Sequence, residues 1–171
     1  MMQDIFLLDA NSIITPYHSY YPFDLADGFW SQLGHYIEIG RIVIMDLVFA
    51  EILKGNDRLT DWIQSLNINN SLDHRELSTI TYYGQILQHI QTSPLYKIDA
   101  LKEWSRNDIA DPWLVAAAKS HGYCIVTLEV PNSNPNPKNP WKNAKIPDIA
   151  KHFDVKTTDL FSMMRALEFK L

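Results

Sequence analysis

The stretch Ile5–Ile14, "IFLLDANSII", decides the fold. Four apolar residues run straight into Asp9, and the apolar pattern resumes only at Ile13, so the chain delivers a carboxylate to the edge of its own core. Short apolar runs of this kind suit buried strands of a parallel sheet, and two more follow, "IVIM" from Ile42 and "CIVTL" from Cys124. The segments between them read as helices. In "DLADGFWSQLGHYIEIG" the residues Ala26, Phe29, Trp30, Leu33 and Ile37 share one face, with Asp24 as N-cap and Gly40 as stop. "DHRELSTITYYGQILQHIQ" predicts a second helix with a broken stripe of Leu77, Ile80, Tyr83 and Leu87. Val130–Asp148 is so dense in Pro and Asn that neither helix nor interior strand is expected. After it, "KTTDLFSMMRALEF" predicts a short strand and a terminal helix capped by Asp159. Strands alternating with helices imply the α/β class. A length of 171 residues, without repeats or charge blocks, reads as a single domain over 1–171.

The balance of 15 Lys and Arg against 20 Asp and Glu gives a formal charge of -5, the wrong sign for long-range attraction to a polyanion. A nucleic-acid enzyme remains compatible with that charge, because carboxylates that hold divalent cations add negative charge that the metal cancels. The single cysteine, Cys124, sits in an apolar run and reads as a small buried hydrophobe in a reducing cytoplasm. No apolar run approaches the roughly 20 residues that span a bilayer, so a cytoplasmic, soluble protein with no membrane partner is expected.

The carboxylates carry the chemistry. Ligands of parallel α/β sheets bind beyond the carboxyl ends of the strands, where Asp9 falls, although "DANS" also suits a plain turn. Glu51 lies in "LVFAEIL", where an ionised glutamate needs either a partner such as Arg41 or Lys54, water at the rim, or a metal. Asp111 opens a strongly apolar helix and reads equally as its N-cap, with Pro112 at the first helical position and Asp108 as a rival cap or a neighbour on the same side. Glu129 follows its strand as Asp9 follows its own, and alternation puts Thr127 on the same face. Converging at one edge, these carboxylates need a counter-charge. The scattered histidines lack zinc spacing, and an all-oxygen donor set favours Mg²⁺ or Mn²⁺.

"LLDANSII", "GRIVIMDLVFAEILKG" and "DIADPWLVAAAKSHGYCIVTLE", in that order, resemble the PIN domain, a metal-dependent ribonuclease fold used by many bacterial and archaeal toxins. "YYPFDLADGFW" and "KIPDIAKHFDVKTTDLFSMM" resemble more narrowly a PIN-like family of bacterial proteins. The resemblance implies a central, mainly parallel sheet with helices on both faces. It implies Asp9, Glu51 and Asp111 as the first three acidic positions, and Glu129 as the fourth, where most PIN domains carry Asp in a Thr-x-Asp motif. Asn11 falls where the family often has a residue orienting the first acid, and Thr127 preserves the fourth motif. The activity implied is Mg²⁺- or Mn²⁺-dependent hydrolysis of single-stranded RNA by the toxin of a toxin and antitoxin pair. RNA is then the substrate, and an antitoxin protein and a homodimer are the partners it admits. The alternative is a PIN fold that binds or assembles without cutting. Lys54, Arg58, Lys119 and His121 are candidate phosphate contacts, while "YHSYYPF" reads as a loop packed over the first helix. A phosphatase with an Asp-x-Asp nucleophile motif is disfavoured by Asn11, and no P-loop or dinucleotide fingerprint occurs.

Overall fold

The computed structural model describes residues 4–69 and 71–171. Four parallel strands form one sheet in the order β2-β1-β3-β4: β1 Phe6–Leu8, β2 Ile42–Val43, β3 Cys124–Val126 and β4 Thr157–Thr158. Registers run Phe6 to Ile42 on one side of β1 and Phe6 to Cys124, Leu8 to Val126 on the other. Both faces of β1 and β3 are buried, which is why those strands read as unbroken apolar runs rather than alternating ones. β4 lies at the edge and consists of two threonines, a β-branched type that suits an exposed edge.

Nine α-helices flank the sheet among the described residues. Asn11–Thr15 (α1) runs through Pro16 into a π-helical turn, Pro16–Tyr20. Asp27–Glu38 (α2) then returns the chain to β2. Its entry differs from expectation: Ala26 occupies the cap position without a side-chain bond, because Pro22 opens a turn whose carbonyl already takes the Leu25 and Ala26 N–H groups. Gly40 does lie beyond the end, in the left-handed region that favours glycine. The aromatic stretch between α1 and α2 packs inward: Phe23 stacks on Trp30, Tyr21 on Phe29, and the Trp30 indole donates to the Tyr21 carbonyl at 2.7 Å.

Between β2 and β3 come Asp46–Leu53 (α3), Arg58–Ser65 (α4), Leu77–Thr92 (α5), Ile98–Trp104 (α6) and Asp111–His121 (α7). The α5 stripe is phased differently from the expected one. Leu77 and Ile80 are exposed, and the buried face is Thr79, Ile86 and Ile90, with Tyr83 stacked on Trp113 of α7 at 3.8 Å. α7 supplies the small residues Ala116, Ala117 and Ala118, all buried, which let it lie close to its neighbours, and it ends on Gly122 in the left-handed region. Val130–Lys145 forms neither helix nor strand, apart from an isolated bridge at Trp141, but the last three residues of the span expected to lack helix, Ile146–Asp148, open one, because Pro147 suits a helix's first turn. Ile146–His152 (α8) leads to β4, and Leu160–Ala166 (α9) closes the chain with Asp159 accepting from the Ser162 N–H at 2.8 Å, as expected. Cys124 is buried and its thiol is pushed up to about 11 by that burial, so it stays protonated. No helix among the described residues is long and apolar enough to cross a membrane.

The order of strands positions the site. The chain leaves β1 toward β2 on one side and returns to β3 on the other, so β1 and β3 flank the switch point where open α/β sheets leave a crevice. Asp9 leaves β1 at that point, and Thr127 leaves β3.

Candidate functional site

Asp9 is 5% exposed, its N–H held by the Val126 carbonyl at 3.0 Å. Its carboxylate accepts a hydrogen bond at 2.9 Å from the Thr127 hydroxyl, which in turn accepts the Glu129 N–H at 3.1 Å. Ser12, missed in the sequence, donates its hydroxyl to the Val126 carbonyl at 2.9 Å and so ties the start of α1 to β3. Asp9 therefore reaches across the switch point instead of only closing its own turn. Burial pushes its carboxyl up to about 6, the charges of Glu129 and Glu51 add to the rise, and the Thr127 hydroxyl and the Ala10 N–H oppose it.

Asp111 is the first residue of α7, and Ala110 occupies the cap position without a side-chain bond. The expected role of Asp111 as N-cap is thus corrected: a residue already in helical geometry does not turn its carboxylate onto the N–H groups of its own first turn. That carboxylate has no hydrogen-bond or ion-pair partner among the described residues. Burial raises it to about 7, followed in effect by the charges of Asp9, Glu129, Glu51 and Glu103. Glu103, at the end of α6, is a further acid near the cluster that no motif in the sequence marks.

Glu51 projects from α3, is exposed, and forms no salt bridge among the described residues; the rim position, not pairing with Arg41 or Lys54, describes it. Glu129 is different. One carboxylate oxygen receives Lys145 Nζ at 3.2 Å and the other the Ile146 N–H at 2.7 Å, so its extra methylene carries the charge to the start of α8. Asn11 is exposed and its side chain makes no hydrogen bond among the described residues; Thr127 takes the place expected of it beside Asp9. Asp108 is likewise not brought to Asp111. It is exposed and binds Arg106 at 2.7 and 3.1 Å, which holds it below the usual carboxylate range.

A second acidic group lies at the start of α3. Asp46, Asp73 and His74 offer ligand atoms all within 4.8 Å of one another, the one such group of three among the described residues. Its charges are already met: His74 Nδ1 lies 2.7 Å from Asp46, which also accepts the Leu47 and His74 N–H groups, and Asp73 holds Arg75 at 3.1 Å. Two of the candidate phosphate contacts are also engaged, His121 with Glu76 at 2.7 Å and Arg58 over the Phe23 ring at 5.4 Å.

A family profile described as "Domain of unknown function (DUF4411)" matches residues 6–171. No curated protein matches the sequence. Among solved structures the chain is similar to one in VapBC2 from Rickettsia felis bound to a DNA fragment from its promoter, with TM-score 0.55 and 14% identity over 91% of this chain and 98% of that one. It is similar to one in DNA-bound VapBC from Salmonella typhimurium, with TM-score 0.52 and 15% identity over 91% and 98%. A third is FitAcB from Neisseria gonorrhoeae, with TM-score 0.55 and 18% identity over 92% and 99%. At these identities the likeness is one of fold, and that fold is PIN-like.

Proposed function

The chain belongs to the family described as "Domain of unknown function (DUF4411)", and from the PIN-like fold and its acidic residues we propose that it is a Mg²⁺- or Mn²⁺-dependent ribonuclease that hydrolyses single-stranded RNA. One observation carries the reading. Asp9 and Asp111 come from distant parts of the chain, Glu51 and Glu129 act with their charges on both, and no cation among the described residues offsets them. One buried and one half-buried carboxyl, both raised by desolvation and by like charges, are a cost unless a cation completes the site.

The donor set fits a hard divalent ion. It is all oxygen, with no histidine or thiol among the acids that couple to Asp9 and Asp111. Asp9, Asp111 and Glu51 are the residues that would hold it, and when bound it supplies an activated water and stabilises charge that builds on the phosphodiester oxygens. Thr127 holds one oxygen of Asp9 through its hydroxyl and so fixes the direction of that carboxylate. Asp111, raised to about 7 chiefly by desolvation, would hold the ion as a carboxylate, so binding would be coupled to loss of its proton. Glu129 adds negative charge from the rim while Lys145 offsets part of it.

The toxin reading rests on the similar structures, which are chains of VapBC and FitAcB complexes, and makes an antitoxin protein the partner. The engagement of Glu129 by Lys145 and Ile146 favours a second reading, a module that binds without cutting. Incubating the purified protein with single-stranded RNA separates the two. Cleavage in Mg²⁺ or Mn²⁺ that stops in EDTA supports the hydrolase, and cleavage that persists in EDTA overturns the metal role. Absence of cleavage, with no response of the melting temperature to millimolar metal, supports the module.

A further inference from the structure

Beside the acidic group lies a cavity of about 1090 Å³, joined to it by Thr127 and Glu129, which line both. We propose that this cleft receives an unpaired nucleobase of the RNA strand, next to the phosphate presented to the acids, with Trp141 as the stacking platform. The inference rests on the ribonuclease reading and extends it to the form of the substrate.

Flat rings make the walls. Tyr96 and Trp141 pack in a tilted pair with ring centres 5.5 Å apart, and His89 of α5, whose ring lies 6.1 Å from that of Tyr96, stacks on His152 of α8 at 3.6 Å. Trp141 is held in place before any ligand arrives. Its N–H bonds the Leu95 carbonyl at 2.7 Å, its carbonyl takes the Lys97 N–H at 2.8 Å, and its indole donates to the Ser133 carbonyl at 3.0 Å. A ring fixed in this way loses little conformational freedom on stacking. The Pro- and Asn-dense segment thus has a use: without side-chain-rich secondary structure it can fold over the strand ends and present one indole.

The polar groups say which part of a nucleotide enters. Glu129, Asp148 and Asp159 line the cleft and repel a phosphate from its interior; their carboxylates already accept from Lys145 and Ile146, from Asn132 and from Ser162, and the lone pairs that remain accept the amino groups of bases. Thr157 and Thr158, at β4, also line this space, and their hydroxyls make no hydrogen bond among the described residues. Lys151, also on the lining, has no ion-pair partner among the described residues and suits a phosphate at the mouth. A base paired and stacked inside a duplex cannot reach the rings, so the cleft selects single strands.

The test uses a fluorescein-labelled six-nucleotide single-stranded RNA and the full chain in EDTA, where binding is read by anisotropy without hydrolysis. Trp141→Ala is expected to weaken binding by about tenfold, and Trp141→Phe, which keeps a stacking ring, by roughly threefold or less. The same RNA annealed to its complement should bind at least about tenfold more weakly than the single strand. Because Trp141→Ala also removes the indole bond to the Ser133 carbonyl, the wild-type indole N–H signal of Trp141, assigned through Trp141→Phe, is followed by NMR on adding uridine 5′-monophosphate. It is expected to shift. An unmoved signal, no binding of the hexamer, equal binding by Trp141→Ala, or equal binding of the duplex overturns the proposal. Trp141-dependent binding without metal-dependent cleavage keeps the cleft and removes the hydrolase, while cleavage with binding indifferent to Trp141 does the reverse.

Discussion

Two acidic groups sit at the carboxyl edge of this sheet, and they differ in a way that spacing alone conceals. Asp46, Asp73 and His74 bring three ligand atoms within 4.8 Å of one another, yet every charge there has a local partner. Asp9 and Asp111 are not part of so compact a set, but the first is buried, the second half-buried, and both have only like charges around them. Proximity of ligands can arise from three groups satisfying each other. Unmet charge in a buried place is the better mark of a site, because the fold bears its cost without a structural return.

The largest expected effect sets the two groups directly against each other. Asp111→Asn should lower metal-dependent RNA cleavage by at least about 100-fold, since loss of groups that merely support metal ligands already costs roughly 10- to 100-fold. His74→Ala should leave the rate within about twofold, measured as single-turnover cleavage of one RNA with folding checked by circular dichroism. A large loss in His74→Ala would move the metal to the compact group and break the comparison.

Next in size is the response to metal. Mg²⁺ at 100 times its dissociation constant should stabilise the wild type by about 2.7 kcal/mol, a rise of roughly 5 to 10 °C in melting temperature for a chain of this length. Asp46→Asn should show the same rise, and Asp9→Asn much less. Differential scanning fluorimetry with and without EDTA reads all three.

The metal-free protein should carry the strain visibly. The carboxyls of Asp9 and Asp111 titrate near 6 and 7 in the folded chain, above the ordinary value of 3.8 that the unfolded chain keeps. Between about pH 4 and 7 the folded state therefore binds more protons than the unfolded state, so stability falls as pH rises through that window. In EDTA the melting temperature should be higher at pH 5 than at pH 8, and Asp9→Asn should flatten the slope. At pH 8 the same variant is expected to melt about 2 to 4 °C above the wild type if the relief is about 1 kcal/mol. A lower melting temperature in Asp9→Asn would make Asp9 a structural turn residue.

The smallest effect is expected at Glu129, which stands between the two kinds of group. Its charge reaches Asp9 and Asp111, but both its oxygens are taken by Lys145 and Ile146. Glu129→Gln should slow cleavage by only about threefold, an effect of roughly 0.7 kcal/mol on the barrier. A loss as deep as that in Asp111→Asn would show that Glu129 leaves Lys145 to contact the metal.

Much of the fold was legible along the chain because its causes are local. The strand cores at Phe6–Leu8 and Cys124–Val126, the lack of helix or strand in the Pro and Asn segment as far as Lys145 and the Asp159 cap follow from composition and spacing within a few residues. Where the cause lay elsewhere, reading the chain failed. Asp24 does not cap α2, since the Pro22 turn sets where that helix begins, and α5 buries Thr79, Ile86 and Ile90 because α7 lies against that side. The motifs placed four acids at one edge, but not what each would meet there. Whether Glu129 finds Lys145, Asp108 finds Arg106, or Asp111 finds nothing is settled by groups brought together from distant positions in the chain. Short-range periodicity determines which residues are strand, helix or turn; charge compensation is a through-space property, and only the tertiary structure decides which carboxylate is left without a partner.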